Sequence, residues 1–454
     1  MELVQIFREQ ESLDQKEISI IARVRSNRQG KAVSFMVIND GTYLDDLQVV
    51  YKPTTVGFED GTKARVSSIV EVTGTLILTP GKQQPFELQA TNIELLDQAV
   101  EEYPLQKKEH SPEFLREIAH LRARTRTFNA IFKIRSTAAF AIHKFFQEDD
   151  FVYVQTPIIT SNDAEGAGEQ FVVTTTEDKD YANDFFGKKA ALTVSGQLNA
   201  EAFAQAFKSV YTFGPTFRAE NSHTNRHASE FWMVEPEVAF MDLQGGIKLI
   251  EDMLKSAISY VMEKNMNELK FLEANLEEGL IEKISGIVNS QFKVNTYEEV
   301  LEILQKAIDN GHKFEDNNIF FGLDLGTEHE RYICEVYNEC PTFVINYPKE
   351  IKAFYMKQND DGKTVGAVDL LVPGIGELVG GSERESDSAK IIARCEEMGI
   401  NPEDLDWYIK LRDYGYFKST GFGLGFERLL MYITGASNIR DVILYPRTPK
   451  NLLF

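Results

Sequence analysis

Two arginines in this chain stand in segments suited to phosphate chemistry. Arg218 follows the strand-like run SVYTFGPT in the segment FRAE, and Arg428 lies near the C-terminus in GFGLGFERL. Transfer at a phosphate builds charge on oxygen atoms, and guanidinium groups match that charge with paired donors that stay protonated near neutral pH. A lone arginine is more often a surface ion-pair residue, so the hypothesis rests on the two segments together.

Strands must hold these arginines in place. FRAE is followed by the polar loop NSHTNRHAS and then by EFWMVEPE, so we expect two strands that flank a loop carrying Arg226 and His227. GFGLGFERL is a Gly-rich strand that runs into a helix. A phosphate-binding loop of the Walker type is excluded, because the required upstream glycine of Gly362-Lys363 is replaced by Lys357.

Residues 1–98 predict a small β domain. Asn39-Asp40-Gly41 would join the second and third of five β-rich runs as a hairpin turn, and a short helix has room between the third and fourth. Five strands with such an element suit an OB-fold, a barrel that often binds single-stranded nucleic acid. A generic small β domain is the alternative. The runs are EISIIARVR, AVSFMVIND, LDDLQVVYK, IVEVTGTLIL and FELQATNIELL.

Residues 99–125 predict a linker, and a longer α/β region follows from residue 126. The linker contains Pro104 and Pro112, and Ser111 is placed to cap a short helix. From Arg126 onward, FNAIFKIRSTAAFAIHKFFQE has apolar residues at helical spacing. VYVQTPIIT then predicts a strand that is broken by Pro157.

The composition is that of an ordinary globular protein with a strong negative charge. Of 454 residues, 43% are hydrophobic, and the net charge is −22. No apolar run is long enough to span a bilayer and the start lacks signal-peptide features, so no membrane partner is expected. Three cysteines without zinc spacing fit a reducing, cytoplasmic setting. Residues 107–135 hold 8 Lys or Arg against 3 Glu, and a polyanion could approach this basic segment.

Together these segments resemble the three signature motifs of the class II aminoacyl-tRNA synthetases. The helix and strand that end at Pro157 resemble the first motif, FRAE with EFWMVEPE the second, and GFGLGFERL the third. The β domain looks like the anticodon-binding OB domain of the aspartyl, asparaginyl and lysyl subgroup. The resemblance implies an α+β fold: a five-stranded OB-fold barrel over 1–98, a linker over 99–125, and a catalytic domain over 126–454 with an antiparallel sheet flanked by helices.

The resemblance implies ATP as a substrate and Mg²⁺ on its phosphates. Arg218 and Arg428 are the expected catalytic residues: Arg218 would hold the α-phosphate, and Arg428 would cover adenine opposite Phe231. Asp369 and Glu377 match the carboxylates that hold Mg²⁺, with a solvent-facing strand residue as the alternative for Asp369. The other positions where the family lines the nucleotide are Glu220, His227, Glu377 and Gly425.

The stretch from Thr193 to Glu201 is characteristic of asparaginyl members of the subgroup and makes L-asparagine the expected substrate. Aspartyl members carry Lys at the position of Ala200, where an ammonium beside a neutral amide would lack a partner. Glu235 would accept from the amide NH₂, and Arg384 would donate to the amide oxygen. Glu383 departs from the usual Gln and adds a carboxylate beside the pocket. The residues expected to line the pocket are Glu165, Gln197, Ala200, Glu235 and Arg384.

The resemblance also assigns an anticodon-binding face to the β domain. Phe35, Gln48 and Glu87 lie on three of the strand runs where the subgroup contacts the anticodon. An aromatic ring can stack on a splayed base, whereas Gln and Glu can read its polar edge. Without the resemblance, Phe35 on an alternating strand would more often be a core residue.

The implied reaction is ATP-dependent ligation of L-asparagine to tRNA(Asn) through an asparaginyl-adenylate, releasing pyrophosphate and AMP without a protein nucleophile. A homodimer is expected, because FNAIFKIRSTAAFAIHKFF holds more apolar residues than one helical face buries in a monomer. Three other functions are alternatives to this reaction. An aspartyl enzyme is disfavoured by Ala200, an asparagine synthetase of the synthetase-like type by the OB domain, and a non-catalytic nucleic-acid-binding paralogue by Arg218 and Arg428.

Overall fold

Alternating apolar residues close the first part of the chain into a barrel. The structure is a computed structural model that describes residues 1–82, 84–162, 170–222 and 224–454. The chain divides into two compact units, Met1–Ala130 and Ile131–Phe454. In the first unit, five strands pair in the order β1-β2-β3-β5-β4 and close on themselves, as predicted. They are β1 (Glu17–Arg28), β2 (Ser34–Asn39), β3 (Leu47–Tyr51), β4 (Ile69–Leu78) and β5 (Phe86–Asp97).

Short helices accompany the barrel. Helix α1 (Leu3–Leu13) was not predicted; it places Leu3, Ile6 and Leu13 in the barrel core. Helix α2 (Phe58–Lys63) lies between β3 and β4 and confirms the helix expected there. Helices α3 (Pro112–Glu117) and α4 (Ala119–Arg122) follow the barrel. The side chain of Ser111 accepts a hydrogen bond from the N–H of Phe114, so the predicted cap is confirmed.

The second unit is built on an eight-stranded sheet. Its order is β12-β13-β14-β15-β16-β11-β10-β6, and β7, β9 and β8 form a small second sheet. Within the described residues of this second unit, the β10–β6 and β12–β13 strand pairs are parallel and the other strand pairs are antiparallel. The strands are β6 (Val152–Tyr153), β7 (Ile159–Thr160), β8 (Val172–Val173), β9 (Ala190–Leu192), β10 (Ser209–Phe217), β11 (Glu230–Ala239), β12 (Lys293–Thr296), β13 (Thr342–Pro348), β14 (Thr364–Val372), β15 (Gly376–Glu383) and β16 (Ser419–Gly425).

Helices flank this sheet, and α6, α7 and α14 contact its central strands. In the part of the chain that the structure describes, no helix is long and apolar enough to cross a membrane. The helices are α5 (Arg126–Glu148), α6 (Gln197–Phe207), α7 (Leu243–Lys264), α8 (Met266–Asn275), α9 (Leu280–Asn289), α10 (Tyr297–Asp309), α11 (Thr327–Arg331), α12 (Ser388–Glu397), α13 (Asp406–Ile409) and α14 (Phe426–Thr434).

The buried faces of these elements form the core of the second unit. Helix α7 buries nine residues at helical spacing, among them Ile250, Leu254 and Ile258. Strand β14 is buried along its whole length. Polar side chains that the central strands carry are therefore held in a water-poor interior, where each needs a partner.

The first prediction concerns Gly57, which enters α2 with a φ of +71°. A Cβ at this position would lie 1.8 Å from the carbonyl oxygen of Ile93. Gly57→Ala is therefore expected to lower the free energy of unfolding by about 1–2 kcal/mol for the left-handed backbone, plus about 1–3 kcal/mol for overpacking. Urea denaturation of the full chain measures this loss.

The matched control is Gly41→Ala in the loop between β2 and β3. Gly41 has a φ of +88°, but its added Cβ would meet nothing within 4 Å. This variant should therefore lose only the free energy that a left-handed backbone costs a residue with a Cβ. Equal losses for the two variants would contradict the close approach of Gly57 to β5.

Candidate active site

Strand register brings the motif segments to one end of the sheet. Phe217 pairs with Glu230 at the end of the β10–β11 hairpin, so Arg218 and Phe231 lie next to each other. Strand β16 pairs with β11 on the other side, with Met233 opposite Gly425. Arg428 sits in the first turn of α14, directly after β16. Residues more than 200 positions apart in the sequence therefore share one site.

A cleft of about 820 Å³, open mouth included, lies at this end of the sheet. All seven residues predicted to bind ATP line it: Arg218, Glu220, His227, Phe231, Glu377, Gly425 and Arg428. Met233, Leu378 and Ile439 add apolar surface, and Arg226 adds a third guanidinium. An apolar wall with convergent charged groups is typical of a small-molecule site. The loop that carries Arg226 also contains His223, which lies outside the described residues.

Aromatic and cationic groups meet inside the cleft. The guanidinium carbon of Arg218 lies 5.4 Å from the centroid of the Phe231 ring. Nη1 of Arg428 donates to the carbonyl oxygen of Glu377 at 3.1 Å, and the Glu377 carboxylate is 3.9 Å away. A flat aromatic face between cations offers stacking to a base and paired donors to phosphates.

The polar loop contributes an imidazole and a fixed arginine. Burial lowers the pKa of His227, and the nearby charge of Arg428 lowers it further. His227 is therefore neutral at pH 7, which avoids adding a cation beside three arginines. Arg226 was expected in this loop, but the sequence predicted no role for it. Its Nη1 donates to the carbonyl oxygen of Ile375 at 2.6 Å.

Two carboxylates converge beside Gly380, and one of them, Glu377, lines the cleft. A Cβ on Gly380 would lie 3.0 Å from Oε1 of Glu377 and 3.3 Å from Oδ1 of Asp369, so both side chains reach this point. Asp369 is 7% exposed, which rules out the solvent-facing alternative. Lys352 donates from Nζ to Oδ2 of Asp369 at 2.6 Å. Among the described residues no group of three possible metal ligands occurs, so any divalent ion would need ligands from a bound phosphate.

Glu330 is an acid that contacts the backbone of Glu377 without joining the two carboxylates as a group of metal ligands, and sequence reasoning missed it. Its Oε2 accepts from the N–H of Glu377 at 3.0 Å. Burial, reinforced by the negative charge of Glu377, raises the pKa of Glu330 to about 7. Glu330 lies in a helix far from the motifs in sequence, and its local pattern gives no signal of this contact.

Strand β11 carries a buried carboxylate, that of Glu235, four residues after Phe231. Glu235 accepts hydrogen bonds from the Ser195 hydroxyl and, at 3.0 Å, from the N–H of Gly196. Burial raises the pKa of Glu235, and these two bonds and the charges of Arg218 and Arg384 oppose that shift. Glu235 therefore lies within the electrostatic reach of both the cleft and Arg384.

Arg384 is held by a carboxylate that was not assigned a role. Its Nε and Nη2 donate to the two oxygens of Glu237, and its Nη1 donates to the Ser382 hydroxyl at 2.8 Å. Burial would lower the pKa of Arg384, but Glu237 outweighs it, so the pKa is raised. Glu237 stands two residues after Glu235, on the same strand face, and this spacing was the signal that could have revealed it.

The three remaining residues that were predicted to line the amino-acid pocket differ in where they lie. Gln197 is buried at the start of α6, and its Nε2 has no hydrogen-bond partner within the described ranges. Ala200 is fully buried in an apolar cluster with Val154, Ala204 and Val210 and does not line the cleft. Glu165 lies outside the described residues. The pocket roles of all three stay predictions.

Glu383 is directed away from Arg384. Adjacent residues of a strand point to opposite faces, and the Glu383 carboxylate accepts from Nζ of Lys357 at 2.7 Å. The departure from the usual Gln is therefore matched by a lysine on the neighbouring segment. The extra charge is neutralised outside the pocket.

The predicted anticodon residues lie on the outer face of the barrel. Phe35, Gln48 and Glu87 are half-buried and alternate with fully buried core residues of β2, β3 and β5. Phe35 is not part of the core. Nε2 of Gln48 lies 3.5 Å from Oε2 of Glu87, so these two polar groups are neighbours.

Comparison with known proteins identifies the family. The family described as tRNA synthetases class II (D, K and N) matches residues 111–449. The chain belongs to this class of tRNA synthetases. An OB-fold nucleic acid binding domain matches residues 18–96, which confirms the predicted barrel type.

Relatives along the whole chain agree with this assignment. A protein named asparagine--tRNA ligase from Mesoplasma florum is 76% identical, and the match covers 100% of both chains. Another of that name from Alkaliphilus oremlandii is 52% identical over 99% of this chain and 98% of its own. A crystal structure of asparaginyl-tRNA synthetase from Pyrococcus horikoshii complexed with asparaginyl-adenylate is 33% identical, with a TM-score of 0.87 and 97% of each chain covered. The predicted α+β synthetase fold is confirmed.

The second prediction concerns the buried pair between Glu237 and Arg384. Glu237→Ala would leave a buried guanidinium without its anion, and breaking such a pair costs about 3–5 kcal/mol. We expect a loss of this size in the free energy of unfolding by chemical denaturation at pH 7. Glu230→Ala, at the exposed start of the same strand, is the control and should be near neutral. A loss below about 1 kcal/mol for Glu237→Ala would contradict the pair.

Proposed function

We propose that this synthetase ligates L-asparagine to tRNA(Asn) with ATP. The observation that carries the proposal is the cleft that brings Arg218, Phe231 and Arg428 together, with the buried Glu235 on the same strand as Phe231. Arg218, in the cleft, and Arg384, in the interior, both act on the charge of Glu235. A nucleotide and an amino acid bound at these two places would therefore meet near Arg218. The names of the relatives and the bound adenylate of the Pyrococcus horikoshii enzyme support asparagine as that amino acid.

The chemistry proceeds in two balanced steps. The asparagine α-carboxylate attacks the α-phosphorus of ATP, an O–P bond forms, and pyrophosphate leaves with the electrons of the broken O–P bond. The terminal 3′-hydroxyl of tRNA then attacks the activated acyl carbon, loses its proton and releases AMP. Arg218 and Arg428 would stabilise the charge that develops on phosphate oxygens, and the protein supplies no nucleophile.

Selection of asparagine rests on the charge state of the buried pocket. An oxygen of Glu235 would accept from the side-chain NH₂ of the substrate, and Arg384 would donate to the amide oxygen. An aspartate carboxylate would face Glu235 as a like charge in a low-dielectric interior, which is strongly unfavourable. A site built on such polar pairs rejects a near-isostere efficiently. Gln197 and Glu165 complete this proposed pocket.

Asp369 and Glu377 are the residues that would hold Mg²⁺. Their convergence at Gly380 fits an ion that takes one or two carboxylates and completes its shell with phosphate oxygens and water. When bound, the ion would neutralise charge on the triphosphate. Lys352 compensates Asp369 in the protein alone.

We also propose a function for each of three segments of the chain. Residues 1–98 would form the anticodon-binding domain, 99–125 the linker and 126–454 the catalytic domain. Phe35 would stack on an anticodon base, and the neighbouring Gln48 and Glu87 would read its polar edges. A cytoplasmic setting is part of the proposal, and the three cysteines, all free thiols, support it.

The third prediction tests activation. ATP–pyrophosphate exchange with each of the twenty amino acids should be fastest with asparagine and much slower with aspartate. Arg218→Ala should reduce asparagine exchange by about 10²–10³-fold, because one charge-stabilising donor contributes about that factor. Arg8→Ala, on the exposed face of α1, is the matched control and should exchange normally. Preference for another amino acid, or normal exchange by folded Arg218→Ala, would refute the assignment.

The fourth prediction tests assembly as a homodimer. The ring of Phe140 on α5 is 57% exposed, and Val152 and Tyr153 are exposed on β6, an edge strand of the large sheet. His143, one turn from Phe140, contacts the Tyr153 ring, so these elements form one apolar surface. Exposed apolar patches and open sheet edges favour association. Light scattering at micromolar concentration should give twice the chain mass of 51.6 kDa.

Two variants sharpen this test. Phe140→Glu should shift the mass towards the monomer, because it places a charge in the proposed interface. Phe185→Glu is the control, since Phe185 is 77% exposed and belongs to the segment between β8 and β9, which is part of neither α5 nor β6. A monomeric parent, or a Phe140→Glu variant that stays fully dimeric, would contradict this interface.

A further inference from the structure

Within the first unit, Arg124 of the basic segment lies beside a second set of arginines. Arg23 and Arg25 point outward from β1, and Arg124 follows α4. Nη1 of Arg25 donates to the carbonyl oxygen of Arg124. Two clefts contain all three arginines in their linings. Their volumes, open mouths included, are about 640 and 550 Å³. We call the three arginines the arginine cluster.

One buried serine fixes two members of the cluster. Nη1 of Arg23 donates to the Ser67 carbonyl oxygen at 2.7 Å and to its hydroxyl at 2.8 Å. Nη1 of Arg124 reaches the same hydroxyl at 3.1 Å. Ser67 is 5% exposed and has a φ of +77°, a strained conformation for a residue other than glycine. The cluster is therefore built by the fold and is not a chance meeting of flexible side chains.

The cluster holds more positive charge than its surroundings balance. Burial lowers the pKa of Arg23, and the charges of Arg124 and Arg25 lower it further against weaker opposition from Tyr103 and Asp97. Arg25 has Asp46 at 3.8 Å. Within the described ranges, neither Arg23 nor Arg124 has a carboxylate within ion-pair distance. Like charges held together in this way are stabilised by an anion.

The surroundings of the cluster suit a chain of phosphates. Lys107, Lys108 and His110 line the smaller cleft beside Tyr103. Asp40 lines the larger cleft, but its carboxylate accepts from the N–H groups of Leu3 and Thr42. Several cations along one surface match a polyanion better than a single small ion. The whole chain carries −22, so this local excess of positive charge stands against the general trend.

We propose that the arginine cluster binds the phosphodiester backbone of the tRNA. The proposal rests on the proposed function and adds a contact apart from base reading. Arg23 pairs with Asn39, and Arg28 pairs with Phe35, so the cluster lies at the other end of the β1–β2 ladder from Phe35. Five residues of strand span about 17 Å, which several nucleotides can bridge. Forked guanidiniums give paired donors to phosphate oxygens and hold the strand without reading its sequence.

The test measures binding of a tRNA(Asn) transcript as a function of salt concentration. Arg124→Gln should weaken binding by about tenfold, the effect of a lost charged hydrogen bond. It should also lower the slope of log K against log salt by about 0.7–0.9, the loss of one phosphate contact. Arg8→Gln carries the same change in charge on α1 and is the control. Asparagine-dependent pyrophosphate exchange without tRNA should be unchanged in both.

A second variant protects the test against misfolding. Arg124→Lys keeps the charge but loses the forked donor, so it should keep the salt slope and lose part of the affinity. If Arg124→Gln binds tRNA with the affinity and slope of Arg8→Gln, the proposal is overturned. Inorganic phosphate is the second arm: if it protects Arg124 from an arginine-modifying reagent at equal ionic strength and tRNA does not, the site takes free phosphate and the proposal is likewise overturned.

Failure of the proposed function would look different. A parent protein that binds no tRNA and shows no exchange with asparagine removes the function itself. A parent protein that does both, with variants indistinguishable from the control, removes only the backbone contact.

Discussion

The bidentate pair between Arg384 and Glu237 is the contact on which the second unit depends. Both side chains are almost fully buried, and an unpaired charge there would be very costly. The pair also explains a glycine in the third motif: a Cβ on Gly421 would lie 2.2 Å from the carboxyl group of Glu237. The Gly-rich character of β16 is therefore a packing requirement of this ion pair as well as a feature of the nucleotide cleft.

A second buried pair continues the network. Glu201 on α6 binds Arg412 and accepts from the hydroxyls of Tyr408, at 2.6 Å, and Tyr416, at 2.8 Å. Its charge also reaches Glu237 and Arg384. Arg384 and Arg412 thus each have their own carboxylate, whereas Glu235 accepts its hydrogen bonds from the neutral Ser195 hydroxyl and the N–H of Gly196. In the proposed pocket, this difference would favour a neutral amide over a carboxylate beside Glu235.

The sequence predicted the parts that depend on local pattern and motif. Five alternating runs were enough for the barrel, and the family resemblance was enough for seven of the residues that line the cleft, six of them in the motif segments and their loop. It did not predict α1, whose short amphipathic run resembles a flexible start. Nor did it predict Lys352, Glu330 or Arg412, because these reach the site through tertiary contacts that have no fixed spacing from the motifs.

Ala200 shows the limit of carrying a role across by resemblance. The lysine of aspartyl members suggested a side chain at the pocket wall, yet Ala200 is packed among Val154, Ala204 and Val210. A methyl group stays within this apolar cluster, whereas a lysine carries an ammonium at the end of a long flexible stem. Ala200 therefore bears on the proposed choice of asparagine only by bringing no ammonium to this region, and its role in the pocket stays a prediction.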